Sequence, residues 1–387
     1  CPIPIANVIS KSPLGVPGIS QHTAAPTQRL EFKPITPPKA MSFPIFGVLL
    51  HAVGALAAAI CFTPQHRVSN WTYQSFWFWM CLNSWFLLPV LGSLIFIPNL
   101  PEVLAASPRE AMVKSFGYGM IYGFGGMAFG FAIRYIGYSL TYALAIGLSA
   151  VIGFLLTPLI QGKLGEILSS PGGNAVIAGV AVGFIGTALC GIAGRRKERE
   201  MEGSRHDGSF RPAIGIPLCL VAGVLSAVYS LALGTADPIA EEALLQGANP
   251  ELVMNVRFLF ASTGAFFCIL PITLWQLAKI SSLRELAGAG ADEHPAPKSN
   301  ILWSSLAGLL WYLQFIFYGM GHNRMDTLGF ASWPLHMIML ILFSTLVAII
   351  RREWTDCSAP TKRFVSIALS ILVLSVLIIG YGNHLNQ

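Results

Sequence analysis

Beyond residue 40 the chain alternates long apolar stretches with short polar ones, and no apolar stretch is punctuated at the two-residue period of a strand. The apolar runs are 18 to 25 residues long with charges confined to the gaps, and each is long enough to cross a ~30 Å hydrocarbon layer as a helix. The pattern predicts ten spans, at about 44–62, 73–97, 111–133, 138–160, 175–194, 212–235, 252–277, 300–320, 331–350 and 362–382. Spans three and four are the least separated, with only Arg134-Tyr135-Ile136-Gly137 between them, which reads as a tight turn. The fold this predicts is an all-α polytopic membrane protein.

Residues 1–40 follow another rule: eight prolines, mixed polarity and no apolar run. They predict neither a span nor a core, and Met41 stands immediately before the first hydrophobic run, so 1–40 is read as a disordered or non-native leader. The longest basic stretch, within 195–211, divides the remainder into 41–194 and 212–387, each with five spans. An odd number per half means that homologous halves would be inverted repeats, a common transporter plan. Arg134-Tyr-Ile-Gly137 after span three and Arg324 through Gly329 after span eight are a faint echo of that repeat.

Composition sharpens the class: 54% of the residues are apolar, 11% are charged and the mean hydropathy is +0.63, against about a quarter charged in soluble domains. The net charge of +6 is then a statement about orientation and not about nucleic acid, because the basic residues sit in short loops beside the bilayer. Fifteen Lys and Arg fall in loops 1-2, 3-4, 5-6, 7-8 and 9-10, and four in the others. The rule that basic loops stay inside puts both termini outside. Seven scattered cysteines form neither a CxxC pair nor a zinc pattern. No metal site, P-loop, HExxH or paired intramembrane aspartate is written in the chain, and nothing in it specifies an oligomeric state.

An ionisable residue inside a bilayer is costly and marks function more often than not. All eighteen Asp and Glu fall in loops, in the leader or at span ends, leaving His51 in span one, His336 in span nine and His322 at the end of span eight. For each, a neutral ring bonded to a neighbouring helix competes evenly with a functional role. His336 follows Trp333 by three residues on one helical face, just after Pro334, which would free a carbonyl; His51 faces the small residues Ala55 and Ala58.

Span eight is the most informative. Trp311, Gln314, Phe315, Tyr318 and His322 fall within about 100° of the helix circumference, a stripe that mixes aromatic faces with amide, phenol and imidazole groups. Such a stripe suits a sugar, whose C–H face stacks on a ring while its hydroxyls need donors and acceptors. An interfacial belt would instead gather at the span's ends. The glycines of span three read as close helix packing and the tryptophans between 71 and 85 as an interfacial anchor. Arg134 reads as a topology anchor or gate, Asp237 as part of a solvated loop or vestibule, and Arg257 as a charge near the start of span seven.

The stretch from Trp311 to Arg324, followed by Ala331-Ser-Trp333-Pro-Leu-His336-Met, closely resembles the L-rhamnose-proton symporter family of the drug/metabolite transporter superfamily. Gly47 through His51, Gly54-Ala55, Arg134 through Ser139, Leu156 through Ile160, Gly194 through Glu198 and Glu353-Trp354 carry it further, so that it spans 44–382. Arg257 and Pro334 depart from the family pattern. The resemblance implies ten helices in two inverted five-helix repeats and uptake of L-rhamnose with a proton, as the coupling ion and without other cofactor, across the bacterial inner membrane. In that frame Trp311, Phe315 and Trp333 would stack on the sugar, and Gln314 and Tyr318 would bond its hydroxyls. His336 or His51, with His322 near, would carry the proton, since no span holds a carboxylate. The rival readings are a transporter of another small metabolite on the same fold and a sugar sensor that moves nothing; an intramembrane enzyme is the remotest.

Overall fold

The computed structural model describes residues 44–162, 165, 169–202, 211–290 and 297–385. The expected leader, 1–40, lies outside them. The described residues form helices and turns with no strand among them, and nine helical runs are long and apolar enough to cross a membrane.

Span one is α1, Pro44–Ile60. Span two is irregular: α2, Tyr73–Cys81, passes through a π-helical turn at Leu82–Leu87 into α3, Leu88–Phe96, and Pro89, which has no N–H to give to the helical ladder, follows directly on that turn. A short α4, Leu100–Ala106, leads to α5, Arg109–Ile136. Gly137, at φ 78°, ends α5 in a conformation that side chains disfavour, so the expected tight turn is there. Span four is α6, Tyr138–Thr141, a second π turn at Tyr142–Ile146 and α7, Gly147–Gln161. Its apolar helical stretch, Tyr142–Leu155, is shorter than the other spans.

Span five is α8, Gly173–Glu202, which runs on through residues where the sequence predicts the basic loop to begin. The second half consists of α9, Pro212–Thr235; a short α10, Asp237–Leu245; α11, Met254–Lys279; α12, Ser299–His322; α13, Ser332–Ile350; and α14, Ala359–Leu385. Pro334 is the third residue of α13. The amide it lacks would have had no helical partner there, so the freed carbonyl expected from the sequence does not arise.

α13 is the centre of the bundle, with 72% of its apolar window buried against 28% for α14 at the rim. Leu94, Ile95, Leu159, Ile350 and Leu377 turn outward, as helices must where the solvent is lipid. α1 packs on α12 and α13, α9 packs on α5 and on the span-four helices, and α8 lies along α14. This pattern survives exchange of each span in the first five with its counterpart in the second five. α1 approaches α12 closely because a methyl group at Gly54 would stand 2.7 Å from the Gln314 carbonyl oxygen, and one at Gly321 2.8 Å from the His51 ring.

Beyond the hydrocarbon, the end of α8 is fastened by charge. Lys197 and Glu198, 4% and 2% exposed, sit beside the turn after α13. The Lys197 ammonium donates to Glu353 at 3.1 Å and lies 5.3 Å over the Trp354 ring.

Candidate functional site

Spans 1, 2, 3, 4, 6, 8 and 9 enclose a central cavity of about 70 Å3. Of the five residues the sequence assigns to substrate, Trp311, Gln314, Phe315 and Trp333 line it. Three of the five stripe residues on α12, Trp311, Gln314 and Phe315, therefore face a pocket. Trp311 and Phe315 lie 5.0 Å apart between ring centroids, and Trp333 donates from Nε1 to the Ser149 hydroxyl at 3.4 Å.

The opposite wall is one that sequence reasoning missed. Trp77, Met80, Cys81, Ser84 and Trp85 all line the cavity. Their spacing of 3, 4, 7 and 8 is one helical face, a signal hidden by the reading of the tryptophan run as an interfacial anchor. For Trp77 and Trp85 that reading is corrected: Trp85 meets Trp311 edge-on at 5.3 Å, inside the bundle. The π turn at Leu82–Leu87 supplies Ser84 and Trp85, and the π turn at Tyr142–Ile146 supplies Tyr142 and Ile146. Both irregularities thus fall at the cavity, as π turns in functional helices often do.

Tyr122 and Tyr229, 4.3 Å apart, complete the aromatic lining. Gly126 on α5 is not only a packing residue, since a methyl group there would fall 2.7 Å from the Trp85 ring. No residue lining the cavity carries a charge. The Ser84 hydroxyl and the Trp85 indole N–H are buried there without a hydrogen-bond partner among the described residues. Buried polar groups left this way are uncommon and call for a partner.

Tyr318 does not line the cavity. One turn along α12 it stands among imidazoles, its ring centroid 5.3 Å from His51, 5.4 Å from His336 and 5.9 Å from His322. It also meets Trp333 at 5.9 Å. His51 and His336 are fully buried and 5.8 Å apart. None of their four ring nitrogens has a partner in hydrogen-bond geometry among the described residues, although the His51 backbone carbonyl faces the His336 ring. His322 pairs through Nδ1 with the Ser332 hydroxyl at 3.0 Å. Three histidines from two spans and the end of a third are therefore one cluster, beside the central cavity and joined to it through Tyr318 and Trp333.

The charged candidates separate. Asp237, at the start of α10, and Arg257, one turn into α11, form an ion pair at 3.0 Å. Arg324, also at this face, pairs with Glu251 and lies 4.9 Å over the Phe46 ring. Arg134 is at the other face, the one with the basic loops, where it lines a wide vestibule of about 620 Å3 together with Arg351 and Glu353.

Glu285, which the sequence places in a loop, is fully buried and caps α2 from outside its own helix. It accepts from the Thr72 N–H at 2.8 Å, the Thr72 hydroxyl at 2.9 Å and the Ser75 hydroxyl at 2.6 Å. Burial alone pushes its carboxyl up, but the bonds from Ser75, Thr72 and Ser282 together outweigh burial and hold it below the usual carboxylate range.

A bundle of membrane-crossing helices around an uncharged, aromatic, hydroxyl-bearing cavity, sealed on one face and approached by a vestibule on the other, defines the class as a membrane transporter of a small neutral molecule. The comparisons narrow it. Residues 41–384 match the model of the L-rhamnose-proton symport protein (RhaT) family. The L-rhamnose-proton symporter of Mannheimia succiniciproducens is 32% identical over 345 residues, covering 87% of this chain and 98% of the relative. Those of Cronobacter sakazakii and Yersinia pestis are each 31% identical, covering 88% and 87% of this chain and 98% of each relative. The chain belongs to the L-rhamnose-proton symport protein family.

Proposed function

We propose that the chain takes up L-rhamnose, or a closely related deoxy sugar, together with a proton by alternating access across the bacterial inner membrane, with both termini on the periplasmic side. The observation that carries the reading is the central cavity: uncharged among the described residues, walled by aromatic faces, and lined by Gln314 and by the Ser84 hydroxyl and Trp85 N–H, which have no hydrogen-bond partner among the described residues. A neutral polyol matches that lining, whereas an anion or cation would be stripped of water with nothing to compensate it. The relatives' names supply the particular sugar and ion.

Ligand pockets ordinarily enclose ~300–1,000 Å3. At about 70 Å3 the cavity is contracted, so binding requires the rings on α2, α9 and α12 to part. The exchangeable packing of the two five-span halves supports rocking of one against the other as the motion. Proton coupling falls to the pair His51 and His336, titratable rings buried side by side between α1 and α13, and Tyr318 and Trp333 connect the pair to the sugar. Asp237 with Arg257, and Arg324 with Glu251, close the periplasmic side in this conformer.

The test is uptake by proteoliposomes with and without an inward proton gradient, with glucose and fucose as competitors. Gradient-driven accumulation blocked only by rhamnose-like sugars is expected. Absence of uptake in a folded preparation would overturn the substrate assignment and move it to another neutral metabolite.

A further inference from the structure

The central cavity and the vestibule share one lining residue, Phe62. Its neighbours along the chain divide between them: Ala58 and Cys61 line the cavity, Ala59 and Thr63 the vestibule. Phe62 lies in the short break between the end of α1 at Ile60 and the 3-10 turn Thr63–Arg67, so its ring can swing without bending a helix. It stacks on Trp77 with ring planes 7° apart and centroids 6.4 Å apart, and Trp77 stacks in turn on Tyr73 at 22° and 6.2 Å. Trp77 faces the cavity and Tyr73 the vestibule. The barrier between the two spaces is thus a column of three rings. Beyond it the vestibule, about 620 Å3, is within the range of an ordinary ligand pocket and reaches the exposed residues Thr63, His66, Arg134 and Arg351.

We propose that the vestibule is the route by which the transported molecule passes between the central cavity and the basic face, and that Phe62 is the gate on that route. The gate deepens the transport reading and rests on it for the identity of what passes, but not for the existence of the opening. Once Phe62 leaves the stack, the cavity joins the vestibule and Cys61 and Cys81, both 1% exposed at the cavity wall, become reachable by water from one side only.

These two native thiols make the test. The full chain, in membrane vesicles of each sidedness, is treated with a charged methanethiosulfonate and the modified cysteines are located by peptide mass spectrometry. Cys61 and Cys81 of the native chain should react slowly from both faces. Phe62→Ala should speed both at least fivefold from the basic face alone, and Phe62→Trp should not. Unchanged rates in Phe62→Ala, or acceleration from the opposite face, would overturn the gate. Cys219 and Cys268, buried elsewhere, report loss of fold. If they too are modified in Phe62→Ala, then Phe62→Leu, which keeps bulk without a flat face, decides in the same terms. Labelling needs no sugar, so failure of L-rhamnose to protect Cys61 in a chain that passes this test would count against the substrate and leave the gate standing.

Discussion

The imidazole of His51 in α1 meets that of His336 in α13 edge to face, with 5.8 Å between ring centroids and 66° between ring planes. Close helix approach enforces the meeting. A methyl group at Gly54 would stand 3.1 Å from the His336 ring, and one at Gly321 2.8 Å from the His51 ring. Two imidazoles this close and this buried cannot both be charged without strong repulsion, so the pair holds at most one added proton.

Replacing both with glutamine should therefore abolish accumulation against a gradient while sparing sugar exchange at equal concentrations. Uptake and counterflow in the same proteoliposomes separate the two. A His51→Gln/His336→Gln chain that still concentrates sugar would remove the pair from coupling.

Tyr318 touches all three histidines but does not line the central cavity. Tyr318→Phe should leave the KM for exchange within about twofold and lower the accumulation ratio severalfold. A large rise in KM with accumulation intact would return Tyr318 to the substrate.

At the cavity the reverse split is expected. Ser84→Ala removes one neutral hydrogen bond, worth ~0.5–1.5 kcal/mol, and should raise KM about two- to tenfold. Trp311→Ala removes a stacking face of similar worth beyond its buried area and should raise KM at least as much, with the proton dependence of uptake unmoved in both. KM values equal to those of the native chain would sink the assigned pocket.

Lys197 and Glu198 form a buried ion pair at 4.0 Å, which the half-buried Glu353 joins through the Lys197 ammonium at 3.1 Å. Losing one partner of a buried pair costs ~3–5 kcal/mol, so Lys197→Ala should lower the melting temperature markedly, and the double variant Lys197→Ala/Glu353→Ala less than the sum of the singles. Additive losses would show that the ammonium and the carboxylate are not coupled.

Glu285 gives a pH dependence. Its carboxyl is held below the usual range in the folded chain, so its stabilisation is fully present above the unfolded value of ~4.3 and is lost as pH falls through the lower folded value. Glu285→Gln should lower the melting temperature at pH 7 and flatten its decline between pH 5 and 3. An unchanged acid limb would mean the cap does not depend on the charge.

The spans and their order were legible because apolar length and charge-free composition are dictated by the bilayer itself, independently of tertiary detail. The α12 stripe was legible for the same reason, as an amide and aromatic rings in mid-bilayer are conspicuous. Trp77 and Trp85 were not, because composition alone gives a tryptophan-rich stretch the look of an interfacial anchor and only the facing helix reveals which side is inside. The π turns that carry Ser84 and Tyr142 leave no mark in Leu82–Leu87 or Tyr142–Ile146 that distinguishes them from ordinary helix. Tyr318 shares the stripe with Phe315, but one turn along the axis is enough to move it from the cavity to the histidines, which a stripe read from the sequence does not resolve. Glu285 could not be found at all, since a loop carboxylate becomes a helix cap only through contacts more than two hundred residues distant in sequence.

The two ends of the path are closed by different kinds of force. Beside α10 and α12 the closure consists of Asp237 with Arg257 and Arg324 with Glu251, partly exposed pairs that weaken as the screening length shrinks toward ~3 Å in molar salt. Toward the basic loops it consists of the near-parallel, offset rings of Phe62, Trp77 and Tyr73, an uncharged contact that salt does not screen. Ionic strength is then a one-sided control: raising it in the medium around α10 relaxes the closure there, while the same change at the other surface leaves the rings where they are. Salt added at the α10 face should therefore shift the balance between the two openings, and salt added at the opposite face should not.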